Sequence, residues 1–295
     1  MIRTIYILLL SCLMLFNGKT SEMKANNVGD NITYTKNDSI VITKVLRESE
    51  KLRNTDRNTI LFFANKFLGR KYVAHTLEVN NDERLVVNTR QLDCTTFVET
   101  VTALTICHQK NYSSFEDYCK VLEQLRYRDG KRDGYASRLH YFSDWIKNKA
   151  SMGLVTEIQA PNPPFCSVQT VNVNYMTTHA KAYKALKANP SLIPDIAKQE
   201  KGINGIKARF IPKSQIKNTK IMRQAIHDGD IIAITCSKPG LDIAHLGFAV
   251  WKKDGLHLLN ASQLHKKVVL EPMTLKTYLS KHPSHTGIRI IRINK

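Results

Sequence analysis

Gln91-Leu92-Asp93-Cys94-Thr95-Thr96-Phe97-Val98-Glu99 is the stretch on which the reading of the fold turns. Before it, Arg84 to Gln91 reads as a strand with Leu85, Val86 and Val87 as its apolar centre. After it, Phe97, Val98, Val101 and Leu104 recur at three- and four-residue spacing, the period of a helix. The change of period falls at Cys94. Asp93 is a good N-cap type and would place Cys94 in the first turn; Thr96, with Glu99 three residues on, is a second candidate cap. Under either cap the thiol lies beside unpaired helix N–H groups and the positive end of the dipole, which favours the thiolate. Most cysteines are small buried hydrophobes, so position alone makes Cys94 a candidate and a partner base has to be found.

That base is sought in the strand-rich end of the chain. Asp228-Gly229-Asp230 is a turn leading into a strand at Ile231 to Thr235. Ala244 to Trp251 and Leu256 to Ala261 form a hairpin around Lys252-Lys253-Asp254-Gly255, and Val268 to Leu270 and Gly287 to Ile293 add strands around a short helix near Thr274 to Leu279. Side chains alternate along a strand, so His245, Gly247, Ala249 and Trp251 share a face. With the four-residue turn, Trp251 pairs with Leu256 and Asn260 falls opposite Gly247. Asn260 is then a diagonal neighbour of His245, about 7–8 Å away at the backbone, and Gly247 is expected to leave the space between them open. A two-residue turn would carry Asn260 opposite Ala249, out of reach, so the longer turn is expected. A cysteine nucleophile needs a base to take its proton, and the base needs an orienting group on its other nitrogen. Cys94, His245 and Asn260 supply those three types in order.

The rest of the chain reads as helices before the sheet. Asp38 or Ser39 would cap a helix with Ile42, Val45, Leu46, Ser49 and Leu52 on one face. A second helix runs from Thr59 to Leu68 and stops at Gly69, before an extended Gly69-Arg70-Lys71-Tyr72-Val73-Ala74. Ser113-Ser114-Phe115-Glu116 holds a capping box opening a helix with Tyr118, Val121, Leu122 and Leu125 inward, and Ser137 to Ile146 reads as another helix. Pro161, Pro163 and Pro164 break the chain, Asn174 to Asn189 is helical again, and residues 194–225 have no clear pattern. Helices followed by an antiparallel sheet make an α+β pattern. One domain over residues 38–295 is expected, with a helical insertion at about 109–225 and a flexible lead-in over 19–37.

The chain carries 44 Lys+Arg against 25 Asp+Glu, a net charge of +19. Such a balance fits nucleic acid, an anionic surface or a carboxylate-rich polymer. No nucleic-acid motif accompanies it, and no nucleic-acid partner is expected. Arg3 and the apolar run Ile5 to Phe16 form a targeting segment within residues 1–18, too short to span a bilayer. Leu9-Leu10-Ser11-Cys12 resembles a bacterial lipobox, which would anchor the protein by a lipid on Cys12; ordinary cleavage after Asn17 or Gly18 is the alternative. Both export the protein. Without Cys12 the cysteines are Cys94, Cys107, Cys119, Cys166 and Cys236, an odd number with no framework spacing, so one thiol stays free. No CxxC pair, HExxH or phosphate-cradling glycine loop appears, and neither a metal nor a cofactor is expected.

Leu92-Asp93-Cys94-Thr95-Thr96-Phe97, Asp228-Gly229-Asp230-Ile231-Ile232, Ala244-His245-Leu246-Gly247-Phe248 and Leu259-Asn260-Ala261-Ser262 together resemble the NlpC-type cysteine peptidases and amidases, which act on bacterial cell-wall peptides with a papain-like fold. Gly69-Arg70-Lys71-Tyr72 and the run from Ser137 to Trp145 further resemble the N-acetylmuramoyl-L-alanine amidase-like branch, and the likeness spans roughly residues 58 to 293. The resemblance implies Cys94 as nucleophile at a helix start packed on the sheet, His245 as base and Asn260 as its orienter. Many relatives have histidine at the third position and Ser-Gly after the cysteine; Asn260 and Thr95-Thr96 depart from that, though an amide oxygen can serve the imidazole N–H. Tyr72, Asp93, Arg138 and His140 are candidates for binding substrate, Arg138 as a clamp on a carboxylate. The implied activity is hydrolysis of the amide between N-acetylmuramic acid and L-alanine in muropeptides, by an exported, monomeric enzyme. Cleavage of γ-D-glutamyl–diamino acid bonds on the same fold, or wall binding without catalysis, are the alternatives.

Overall fold

The computed structural model describes residues 31–53, 55 and 58–295, so the targeting segment and the lipobox at Cys12 lie outside the described residues. After a short strand β1 (Ile32–Thr33), helix α1 (Lys36–Ser49) starts at Thr35, whose side chain and that of Asp38 close a capping box. Asp38 is thus the third residue of the helix rather than its cap. Its other oxygen accepts from the Thr89 N–H at 2.8 Å and the Thr89 hydroxyl at 2.7 Å, which ties the helix start to the chain just before Cys94. Helix α2 (Thr59–Asn65) is capped by Asn58 and gives way to turns that end at Gly69, where φ is +80°.

The expected strand from Arg84 to Gln91 is two strands. β3 (Leu85–Val86) pairs in parallel with β1, and β4 (Gln91–Leu92) pairs in parallel with β2 (Lys71–Tyr72). Between them the Asn88 side-chain oxygen accepts from the Arg90 and Gln91 N–H groups at 3.1 and 3.0 Å, a side-chain turn that bends the chain. Helix α3 (Cys94–Gln109) follows at once, and α4 (Phe115–Arg126) packs on it. Ser114 caps α4 with Asp117, one residue later than the box read from Ser113 and Glu116. Glu99 of α3 meets Arg126 of α4 at 2.7 Å in the interior, and Arg126 also donates to the Val86 carbonyl at 2.6 Å.

Helix α5 (Phe142–Ser151) begins later than the expected Ser137. Tertiary pairing removes the intervening residues: Arg138 bridges Tyr127, and the Leu139 N–H donates to the Arg126 carbonyl. Beyond it come β5 (Val155–Ile158), β6 (Ser167–Thr170), α6 (Tyr175–Thr178), α7 (Lys184–Ala188), α8 (Ile193–Ile203), β7 (Lys207–Pro212) and α9 (Lys220–Ala225). The expected helix from Asn174 to Asn189 is therefore broken. The segment 109–225 is also not purely helical, because β5 and β7 both pair with the last strand and β6 pairs with β7.

The chain closes with β8 (Ile231–Cys236), β9 (Ile243–Trp251), β10 (Leu256–Ser262), β11 (Lys267–Leu270), α10 (Leu275–Ser280) and β12 (His285–Ile293). The main sheet runs β4-β2-β11-β10-β9-β8-β12-β7-β6 and is antiparallel except at the β2–β4 edge. β8 is buried at every position, and its side chains alternate between two cores. Ile231 and Ala233 face α1–α4 together with Phe97 and Phe248, whose rings meet edge to face at 5.6 Å. Ile232 and Ile234 face α9 and α10. A third cluster, with Tyr141, Val173, Met176 and Ile196, lies within the 109–225 segment. Each large apolar side chain withdrawn from water contributes about 1.5–3 kcal/mol, so the helix carrying Cys94 is held on the sheet by its whole buried length.

Candidate active site

Cys94 is the first residue of α3. The Asp93 side chain caps the helix, accepting from the Thr96 N–H at 2.8 Å and the Thr96 hydroxyl at 2.8 Å, while that hydroxyl accepts from the Asp93 N–H at 2.9 Å. Of the two caps open in the sequence this is the one formed; Glu99 is held by Arg126 instead.

The hairpin register places the second and third residues. Trp251 pairs with Leu256, and the ladder continues to Phe248 opposite Leu259, which is the register of the four-residue turn. His245 Nε2 and Asn260 Oδ1 lie 2.9 Å apart. The other end of the amide, Nδ2, donates to the Leu258 carbonyl at 3.3 Å, which fixes which way the amide faces. An amide oxygen only accepts, so Nε2 carries the imidazole proton and Nδ1 keeps a lone pair for use as a base. Gly247 does not leave open space: a Cβ there would lie 2.7 Å from Leu258 Cδ1 and 2.8 Å from the Leu259 carbonyl oxygen. The glycine permits close strand approach rather than a gap.

The Cys94 sulfur lies within hydrogen-bond reach of the Leu246 and Thr95 backbone N–H groups, next to His245 in the chain. Its pKa departs from the expectation drawn from helix position. Burial, with the Asp93 charge behind it, pushes the thiol up to about 12, and the hydrogen bonds offset only part of this. Burial also lowers the His245 pKa, which its Asn260 bond and the Asp93 and Glu271 charges pull back in part. Burial thus disfavours the charged form of each group.

Of the four candidate substrate contacts, Tyr72 stands near the thiol: burial, then the Cys94 and Asp93 charges, push its phenol up to about 12. Asp93 spends one oxygen on the cap. His140 is not helical; its Nε2 meets the Tyr135 carbonyl at 3.0 Å, and burial with Arg138 beside it pushes its pKa down to about 3. Arg138 is unsuited to clamping substrate. It is buried against Glu78, with Glu83 at 3.8 Å and the Tyr135 ring at 4.9 Å, so its charge is already met.

Cys94, His245 and His140 line one cavity of 170 Å³. Its wall includes Tyr141, Trp145, Met176 and Tyr183 of the 109–225 segment and Asp242 before β9. Sequence reasoning gave none of these a role: Tyr141 and Trp145 lie in the run from Ser137 to Trp145, which carried a resemblance only, and Met176 and Tyr183 come from a segment of short broken helices. The wall is firmly held: the Tyr141 hydroxyl donates to Glu200 at 2.7 Å and accepts from the Met176 N–H at 2.9 Å, and Asp242 accepts from the Ser143 N–H at 2.7 Å. On the other side of His245 stands a row of rings, Tyr278 at 6.5 Å followed by His282 and His285. A larger cavity of 710 Å³ lies against another face of α5 and α8, but no cysteine or histidine lines it. Among the described residues no cluster of three or more His, Cys, Asp or Glu is placed to hold a metal ion, and all five described cysteines are unpaired.

The mixed α+β chain thus gathers a helix-start cysteine and a strand histidine, with the asparagine bonded to it, at one walled cavity. The chain belongs to the N-acetylmuramoyl-L-alanine amidase-like (AmiA-like) family, whose family model matches residues 62–288. Among solved structures, an N-acetylmuramoyl-L-alanine amidase from Bacteroides uniformis is 38% identical with a TM-score of 0.75, covering 80% of this chain and 98% of its own. A Bacteroides fragilis protein with a provisional xylanase description is 40% identical with a TM-score of 0.73, covering 78% of this chain and 99% of its own. A Legionella pneumophila protein, LPG0564, at 22% identity and a TM-score of 0.66, shares the fold over 87% of this chain and 95% of its own. No curated protein matches the chain.

Proposed function

We propose that the chain is an exported peptidoglycan hydrolase, a cysteine-dependent N-acetylmuramoyl-L-alanine amidase of papain-like, NlpC-type architecture. The observation that carries the reading is the His245–Asn260 bond of 2.9 Å beside Cys94, in a chain of the amidase-like family. Substrate enters with the lactyl amide carbonyl against Cys94. The thiol proton passes to His245 Nδ1 as the sulfur attacks, and Asn260 Oδ1 holds the imidazolium through its Nε2–H. Backbone N–H groups at the start of α3 and at Leu246 stabilise the oxyanion. The imidazolium then gives its proton to the alanine nitrogen, and the peptide leaves with a free amine. Water, activated by His245, hydrolyses the lactyl thioester and restores the thiol.

Because burial disfavours both charged forms, the reading places the proton transfer in the attack step rather than in a preformed ion pair. Glycoside hydrolysis would need two carboxyl groups flanking the bond; the cavity lining presents Asp242 alone. Cell-wall substrate and the apolar leader both support action outside the cytoplasm. Among the described residues no helix is long and apolar enough to cross a membrane. Digestion of N-acetylmuramoyl-tetrapeptide with product masses tests the reading: free N-acetylmuramic acid and intact peptide are expected. Release of N-acetylmuramoyl-L-Ala-D-Glu would assign the bond to an endopeptidase, and binding without turnover would make this a wall-binding protein.

A further inference from the structure

The turn that joins β10 to β11 carries Leu264, 65% exposed, followed by the exposed Lys266 and Lys267. Lys266 is held at φ +57°, a conformation that costs a side chain and that glycine takes freely, so a cation stands there against the backbone preference. Lys267 lies directly opposite Lys71 of β2 in the antiparallel ladder, and both are exposed. Like charges paired in this way repel. None of the three ammonium groups has an ion-pair or hydrogen-bond partner among the described residues. Glu271, just beyond the end of β11, is fully buried and faces His265 at 3.2 Å instead. β2 and β11 each have a neighbour on both sides, so these lysines do not serve to blunt an open sheet edge. The other end of the β2–β11 ribbon begins at Leu68, 46% exposed, next to Gly69, whose N–H donates to the Val268 carbonyl at 2.9 Å. Unpartnered cations thus stand between two exposed leucines.

We propose that β2 and the β10–β11 turn form a docking surface for an anionic lipid leaflet, with Lys71, Lys266 and Lys267 on the headgroups and Leu264 entering the acyl boundary. Anionic headgroups supply the missing partners of the cations, and the leaflet takes up the apolar side chain beside them. A dissolved acid or a polyanionic polymer would use the lysines but would leave the leucines in water. Asn260 pairs with Val269, two residues from Lys267, so Asn260 and Lys267 share one face of the sheet. An acidic substrate is therefore the occupant that the test has to tell apart from the leaflet. The docking surface is independent of which bond the site cleaves.

The experiment places the full chain carrying Leu264→Trp on vesicles of phosphatidylcholine, alone or mixed with phosphatidylglycerol, whose brominated acyl chains quench an indole on contact. Trp145 is buried and Trp251 lies at the far end of β9, so the wild type supplies the background. The added indole is expected to be quenched by the anionic vesicles and not by the neutral ones, whatever other part of the chain binds. Adding Lys71→Gln and Lys267→Gln, which removes a repulsion between exposed side chains and so spares the fold, should raise the lipid concentration for half-quenching about 25-fold, about fivefold for each lysine. No quenching beyond the wild type, or equal quenching by neutral vesicles, overturns the docking surface. So does a half-quenching concentration that the double lysine substitution leaves unchanged. A higher KM for N-acetylmuramoyl-L-alanine in that variant, with quenching unaltered, assigns the cations to substrate and also overturns it. Retention on isolated cell-wall sacculi that needs the two lysines, with the added indole unquenched by lipid, assigns the patch to the polymer and overturns it as well.

Discussion

Substituting Gly247 by alanine tests the geometry that joins His245 to Asn260. The new Cβ would lie 2.7 Å from Leu258 Cδ1, 2.9 Å from Leu258 Cγ and 2.8 Å from the Leu259 carbonyl oxygen. The Leu258 side chain can turn aside. The carbonyl cannot, because it belongs to the backbone that carries Asn260 one residue later. Regaining an ordinary contact of 3.4 Å requires β9 and β10 to part locally by roughly half an ångström in a close-packed interior. Overpacking of this kind costs about 1–3 kcal/mol, which for a chain of this size lowers Tm by about 2–12 °C. The displacement falls between two groups now 2.9 Å apart, where a shift of about 1 Å costs on the order of a hundredfold in rate. A loss of about ten- to a hundredfold in kcat is therefore expected. KM should change less than kcat, because most of the cavity wall comes from α3 and the 109–225 segment rather than from β9. Thermal melts and steady-state kinetics on N-acetylmuramoyl-L-alanine read both quantities. A Gly247→Ala protein with wild-type Tm and kcat would refute the claim that close strand approach positions the pair.

Removing the Asn260 side chain as alanine should cost about 10- to 100-fold in kcat, the worth of one bond to an imidazolium, and less than His245→Ala; an equal loss in the two would make Asn260 more than an orienting group. Glu99→Gln leaves the buried Arg126 guanidinium without its carboxylate at 2.7 Å and should destabilise the fold by about 3–5 kcal/mol in urea unfolding; a loss below about 1 kcal/mol would contradict the burial of that pair. Acid should also weaken the fold. Burial pushes His140 and His285 down to about 3 and about 4, so the unfolded chain takes up protons first as pH falls below about 6.5. Stability is then full above about pH 6.5 and lost progressively toward pH 4; a urea midpoint unchanged between pH 7.5 and 5 would refute it.

Much of the site was legible because it depends on local rules. Asp93 reads as a cap and caps α3, and the turn at residues 252–255 sets a register that brings Asn260 to His245. The rest depends on contacts distant in sequence. The break at Asn88 is made by its side chain, and the late start of α5 follows from Arg138 and Leu139 pairing with residues before them. Arg138 reads as a free clamp until Glu78 and Glu83 are seen around it. The cavity wall was not legible because Trp145, Met176 and Tyr183 are distant in sequence and meet only through tertiary packing. The thiol's surroundings were less legible: the helix start can be read from a cap, whereas the burial that raises the thiol pKa cannot.

The role of Cys94 is tested most directly by turnover of N-acetylmuramoyl-L-alanine with the wild-type protein, Cys94→Ala and Cys94→Ser, each checked for an unchanged melting transition. The account predicts release of L-alanine by the wild type alone, together with an acyl adduct on Cys94 in the intact-protein mass when the reaction is quenched early. L-Alanine release by Cys94→Ala at a rate near the wild type would contradict it.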